Sequence, residues 1–250
     1  MSRILLAGEQ VTEVAFGVKG FDYYGANTYK EDGQVFVDAL TASGHKVDWL
    51  RTCNVPVAFP EKMEELKRYQ VVILSDVGSN TLYFHPEMVT KSVPHPDRLK
   101  LIRDYVAQGG AFIMVGGWMS FAGIDGRARY HGTPVEEVLP VTCLTVDDRK
   151  ELPEGAVPVA SDPSHPVLAG MPSPWPFFLG YNQVTAKPQA KVLVKIEGDP
   201  LLAVWSFGKG KSAAFTSDCA PHWGPPEFLK WPGYQVLWQN LVKWLMAQGK

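Results

Sequence analysis

Cysteine is scarce in this chain: three residues in 250, Cys53, Cys143 and Cys219, with no CxxC pair among them. A scattered, odd-numbered set supports neither a disulfide framework nor a thiolate zinc site, and it suits a reducing compartment. Long apolar runs are missing as well. No stretch approaches the ~20 apolar residues that a membrane helix needs, and the run Ile4-Leu5-Leu6-Ala7 behind a single Arg3 is too short for a signal peptide. Excess charge of either sign is also absent, since Lys+Arg 24 against Asp+Glu 26 leaves a net charge of −2. That balance gives no electrostatic footprint for nucleic acid or for an anionic membrane. No two histidines stand at the HxxxH spacing of a helical metal site. The expectation is a cytoplasmic protein without metal or cofactor, whose partner is a small molecule.

What is present is apolar content of 46%, enough for a large core, laid out as alternating strands and helices. Residues 3–7 form a continuous apolar run that predicts a buried strand ending at Gly8, followed by a long polar and aromatic loop. The spacing of Val35, Phe36, Ala39 and Leu40 predicts a helix over 32–43, with Gly44 closing it. Strands are expected at 46–50, 71–75 and 111–115, the last two apolar enough to be covered on both faces. Helices are expected at 60–69 and 97–108, the second with Leu99, Ile102, Tyr105 and Val106 on one face. Strands separated in this way imply right-handed crossovers and a parallel, helix-covered sheet. The second half is rich in proline. It predicts strands at 141–146, 191–196, 201–207 and 211–216, a tight hairpin at Phe207-Gly208-Lys209-Gly210-Lys211, and a last helix over 234–247. No repeat or linker divides the chain, so one domain over residues 1–250 is expected.

In an open parallel sheet, ligands bind beyond the carboxyl ends of the strands. Four polar or glycine-rich segments meet that condition: Gly8-Glu9-Gln10, Ser75 to Asn80, Gly116-Gly117-Trp118-Met119-Ser120, and Ser217-Asp218-Cys219-Ala220-Pro221-His222-Trp223. They give the candidate ligand-binding residues Asp76, Asn80, Gly117, Trp118, Ser120, Asp218 and Trp223. The Gly116–Ser120 turn has the outline of a nucleophile elbow, but Trp118 stands where a nucleophile would be and Ser120 is the only hydroxyl nearby. Cys219 and His222 admit two readings. They could form a catalytic thiolate–imidazolium pair, or Cys219 is a small buried hydrophobe and His222 caps a turn. His165 is expected to fix a turn, and Asp147-Asp148 to be a solvated one.

The motifs Leu-Ser-Asp-Val-Gly-Ser-Asn (74–80), Gly-Gly-Ala-Phe-Ile-Met-Val-Gly-Gly-Trp-Met-Ser-Phe (109–121), His-Pro-Val-Leu (165–168) and Thr-Ser-Asp-Cys-Ala-Pro-His-Trp-Gly (216–224) resemble the bacterial cytoplasmic glutamine amidotransferase-like proteins. The resemblance runs almost the full chain. It implies a single domain of the class I glutamine amidotransferase-like superfamily: a flavodoxin-like three-layer α/β sandwich with a mostly parallel central sheet, plus extra strands in the second half. The chain is also similar to trehalose-utilisation-type and β-galactosidase middle domains. The resemblance further implies that a glutaminase would carry cysteine at the elbow and a late His-x-Glu pair. Here the elbow holds Trp118, and His222 is separated from Glu227 by Trp-Gly-Pro-Pro. Three functional readings follow. The first is a non-glutaminase domain binding a small polar metabolite or sugar, the second a thiol-dependent amide or ester hydrolase using Cys219 and His222. The third is a homo-oligomeric scaffold assembled through its aromatic C-terminal region.

Overall fold

The computed structural model describes residues 2–247. Its first half supplies β1 (Arg3–Gly8), β2 (Gln10–Lys19), β3 (Asp22–Glu31), β4 (Lys46–Leu50), β5 (Val71–Ser75) and β6 (Ala111–Val115). The second half adds β7 (Val141–Cys143), β8 (Arg149–Ala156), β9 (Val159–Ala160), β10 (Phe178–Asn182), β11 (Val184–Ala186), β12 (Lys191–Ile196), β13 (Asp199–Phe207) and β14 (Gly210–Phe215). Eight of these form one sheet in the order β4-β1-β5-β6-β14-β13-β12-β9. The β4-β1-β5-β6-β14 part is parallel, and β13, β12 and β9 extend it antiparallel. The expected flavodoxin-like sandwich with extra second-half strands is therefore the observed fold.

The sheet is covered on both faces because its central strands are apolar at every position. Alternate residues of β1 point to opposite sides. Ile4 and Leu6 join a core with Phe36 and Leu40 of helix Gln34–Ala42 and with Leu237, Trp238 and Leu241 of helix Pro232–Met246. Leu5 and Ala7 join a second core with Leu99, Ile102, Tyr105 and Val106 of helix Arg98–Ala107. That helix starts where Asp97 accepts hydrogen bonds from the Leu99 and Lys100 amides, a side-chain N-cap.

The topology places the site. From β1 the chain moves outward to β4 and then crosses back to β5 on the other side of β1, so the loops leaving β1 and β5 diverge. That is the switch point of a doubly wound sheet, and a crevice opens there at the carboxyl ends.

Four sequence expectations need correction. The loop after β1 is a regular antiparallel hairpin, β2 paired with β3 from Gln10↔Glu31 to Lys19↔Asp22, turning at Gly20 with φ 63°. The helix expected over 60–69 shrinks to Met63–Leu66, and the strand over 141–146 stops at Cys143. Asp148 is not solvated but buried. Phe228, Tyr234 and Trp238 are buried against Phe36, Phe215 and Phe178, because the last helix turns its aromatic stripe into the core.

Candidate functional site

At the switch point two strand ends nearly touch. Gly8 has φ +126°, and a Cβ there would lie 1.7 Å from the Ser75 carbonyl oxygen, so no other residue fits. The next residue on each chain segment is an acid, Glu9 and Asp76, and both are held in the left-handed region, at φ 55° and 50°. Non-glycine residues there cost on the order of 1–3 kcal/mol each, a strain that clusters at functional sites. His222, which faces them, also has positive φ, 124°.

Asp218 extends from the end of β14 toward the same point, and its carboxylate accepts hydrogen bonds from the Trp223 amide at 3.1 Å and from His222 Nδ1 at 2.8 Å. Buried Glu9 and Asp218 thus form an acidic cluster with half-buried Asp76. Burial, reinforced by Asp218 and Asp76, lifts the Glu9 carboxyl to about 8, so it carries a proton at neutral pH. Asp76 rises to about 6, mainly through burial and then through Asp218, while the Met119 amide pulls it back. Burial also raises Asp218, opposed by its bond to His222. Burial is the largest single influence on His222 and lowers it, but Asp218, Glu151 and Asp76 together outweigh that and raise it. Asp218 and His222 accordingly each favour the other's charged form beside the raised acids Glu9 and Asp76.

The elbow after β6 is a tight, heavily braced turn. Gly117, at φ 135°, takes the position where any Cβ would strike the Asp76 carboxylate at 2.7 Å. Its amide donates to Asn182 Oδ1 at 3.0 Å, and the Asn182 amide donates back to its carbonyl at 3.1 Å and to Asp148 at 2.8 Å. Asp148 also accepts from the Ala122 and Gly123 amides at 2.8 and 2.9 Å, so it pins the whole turn from below. In a working elbow, the amide following the nucleophile stabilises the developing oxyanion. Here that amide belongs to Met119, and it donates to Asp76 Oδ1 at 2.6 Å. Both the nucleophile and this donor are therefore taken, one replaced by Trp118 and the other occupied by a carboxylate.

Trp118, Asp76, Asp218 and His222 come together as the sequence suggests, lining a crevice of about 320 Å³ with Glu9 and with the hairpin root. The Trp118 indole stands 42% exposed at its mouth, edge-on to His222 at 5.0 Å. The remaining candidates play other parts. Ser120 is buried beneath the turn, donating to the Val115 carbonyl and accepting from the Asp76 amide. Trp223 is buried, its indole N–H on Glu151 at 2.9 Å. Asn80 is exposed on the short helix Ser79–Tyr83 and does not line the crevice. Cys219 is fully buried and does not pair with His222. Its sulfur lies 3.5 Å from Ser75 Oγ and 3.6 Å from Glu9, and Ser75 in turn donates to Glu9. Burial first, and then the Glu9 charge, push the thiol well above its ordinary range, the reverse of an activated nucleophile. Glu9 and Ser75 stand in the strand-end segments but not among the candidate residues, Asp148 reads from sequence as a solvated turn, and Asn182 has no signal there; for Glu9 the signal is its place directly after Gly8 at the end of β1.

A separate cluster joins Glu61, His85 and His95, the one group among the described residues close enough to share a metal ion. The two imidazoles stack at 3.7 Å with planes 15° apart, so their nitrogen lone pairs lie in parallel planes and do not converge. His165 holds its turn as expected, accepting from the Val167 amide.

A mostly parallel three-layer α/β sandwich with a crevice at the switch point and an elbow after its fourth parallel strand defines an amidotransferase-like architecture. The chain belongs to the family described as "Putative glutamine amidotransferase" (GATase1_like), which it matches over residues 3–247. It is similar to the solved cytoplasmic protein STM3548 from Salmonella typhimurium, with 39% identity, full coverage of both chains and a TM-score of 0.95. Similarity to the cytoplasmic protein STM1381 from Salmonella typhimurium LT2 is comparable: 40% identity over 97% of this chain and 99% of that one, TM-score 0.93. A thua-like protein from Bacteroides uniformis shares the fold alone, at 14% identity over 98% of this chain and 91% of that one, TM-score 0.53. No curated protein matches the chain in sequence. Among the described residues, no helix is long and apolar enough to cross a membrane.

Proposed function

We propose that the crevice binds a small, uncharged, hydroxyl-rich molecule, a sugar or a similar polar metabolite, and that the chain does not hydrolyse glutamine. The observation that carries this reading is Trp118 at the elbow position, its indole open above a floor formed by Glu9, Asp76 and Asp218. An aromatic face covers the apolar side of a sugar ring, and carboxylates accept hydrogen bonds from ring hydroxyls. At neutral pH the charge on Asp76 repels phosphate and carboxylate groups, which disfavours acidic metabolites and works against the α-carboxylate of glutamine. The thiol reading gains no support, because Cys219 and His222 have separate partners.

The test is a calorimetric titration with neutral mono- and disaccharides alongside the corresponding sugar phosphates. Neutral saccharides are expected to bind, and Trp118→Ala to weaken binding by about tenfold or more, ~1.4 kcal/mol, with an unchanged melting temperature. Binding of sugar phosphates in preference to neutral sugars, or affinity indifferent to Trp118→Ala, would refute the reading.

A further inference from the structure

The β2–β3 hairpin is the least explained part of the molecule. It contributes no residue beyond its root to either core, yet it carries a concentration of exposed large apolar side chains. Because the register runs without a bulge, side chains sort cleanly onto two faces. One face holds Glu13, Lys19, Asp22, Lys30 and Tyr24. It closes on itself: Lys30 pairs with Glu13 at 2.8 Å, and the Tyr24 ring lies where a Gly17 Cβ would be, at 2.3 Å. The other face, from Thr12 to Val18 and from Tyr23 to Tyr29, has no charged residue and no cover. Phe16 is 77% exposed, Val18 73% and Tyr23 81%, with Val14 and Tyr29 more than half exposed and Phe21 fully exposed at the turn. A lone two-stranded ribbon is marginal in water at best, and an apolar patch of this kind marks an interaction surface.

We infer that this face packs against the same face of a second copy of the chain. Four aromatics that bury roughly 150–250 Å² each, together with two valines, offer on the order of 800 Å² per copy. That is the share each partner contributes to a standard interface of about 1,600 Å². One patch is half of an interface, and two identical patches make a whole one, as an isologous two-fold contact requires. The absence of charge on the face means that self-packing desolvates no ion and opposes no like charges, while the polar face keeps its ion pair in water.

Light scattering across a dilution series, on the full chain, reads this directly. The wild-type chain is expected at twice the chain mass or a multiple of it. Phe16→Asp and Val18→Asp should each halve that mass with an unchanged circular dichroism spectrum, because the ribbon lies outside both cores. Thr28→Lys, on the polar face, should leave the mass at the wild-type value. If Phe16→Asp does not fold, Val18→Asp decides. A wild-type monomer overturns the inference, as does a folded Val18→Asp that keeps the wild-type mass, or a Thr28→Lys that loses it.

Discussion

The crevice and the hairpin share a root at the end of β1, yet they break opposite rules of globular proteins. In the crevice, Glu9 and Asp218 are buried and Asp76 half-buried beside one imidazole; in the hairpin, a row of aromatic and aliphatic side chains is left in water. Buried charge and exposed apolar area are each costly on their own. Their adjacency teaches that this end of the sheet is not shaped for stability. The rest of the chain, with its apolar strands, capped helices and aromatic C-terminal core, obeys the local rules and supports the two departures.

The sharpest way to break this comparison is to remove the support under the crevice. Asp148→Ala leaves the Ala122 and Gly123 amides and the Asn182 side chain without their acceptor. Chemical denaturation should show a loss of about 3–5 kcal/mol, with Tm falling by roughly 10 °C. Its neighbour Asp147 makes a surface ion pair with Arg149, and Asp147→Ala should cost less than ~1 kcal/mol. Equal losses for the two variants would show that Asp148 does not hold the elbow.

The protonation of Glu9 gives a second, smaller effect. Its carboxyl sits near 4.5 in the unfolded chain and about 8 in the fold, so the folded state holds a proton that the unfolded state releases. The contribution is complete below about pH 4.5, declines as pH rises, and is gone above about 8, a fall of at most ~5 kcal/mol. Glu9→Gln, which stays neutral, should make the fall between pH 6 and 8 shallower, leaving the part due to the raised His222, and be more stable than wild type at pH 8.5. The fall that remains below about 6 belongs to Asp76 and Asp148. A wild-type profile rising with pH over this window would contradict the buried, protonated acid.

The sequence displays much of this architecture and less of the site. β1, β5 and β6 are legible because strands covered on both faces are apolar throughout, and helix Arg98–Ala107 because Leu99, Ile102, Tyr105 and Val106 recur at helical spacing. The hairpin hides because its residues do not alternate cleanly between polar and apolar over a stretch rich in tyrosine and glycine, which reads equally as a loop. Trp118, Asp76, Asp218 and His222 are recoverable from strand ends alone. The partners of Cys219 are not, since Glu9 and Ser75 lie 210 and 144 residues away in sequence. Nor is the split between Asp147 and Asp148, because only the fold decides which of two adjacent acids turns inward.

The central claim is that acids and an indole occupy the place where an amidotransferase would hold its thiol. Ammonia release from glutamine by the purified chain, beside a heat-inactivated control, tests it most directly. The account predicts no release above the control at any pH between 6 and 9. Release that disappears in Cys219→Ala or His222→Ala would contradict it.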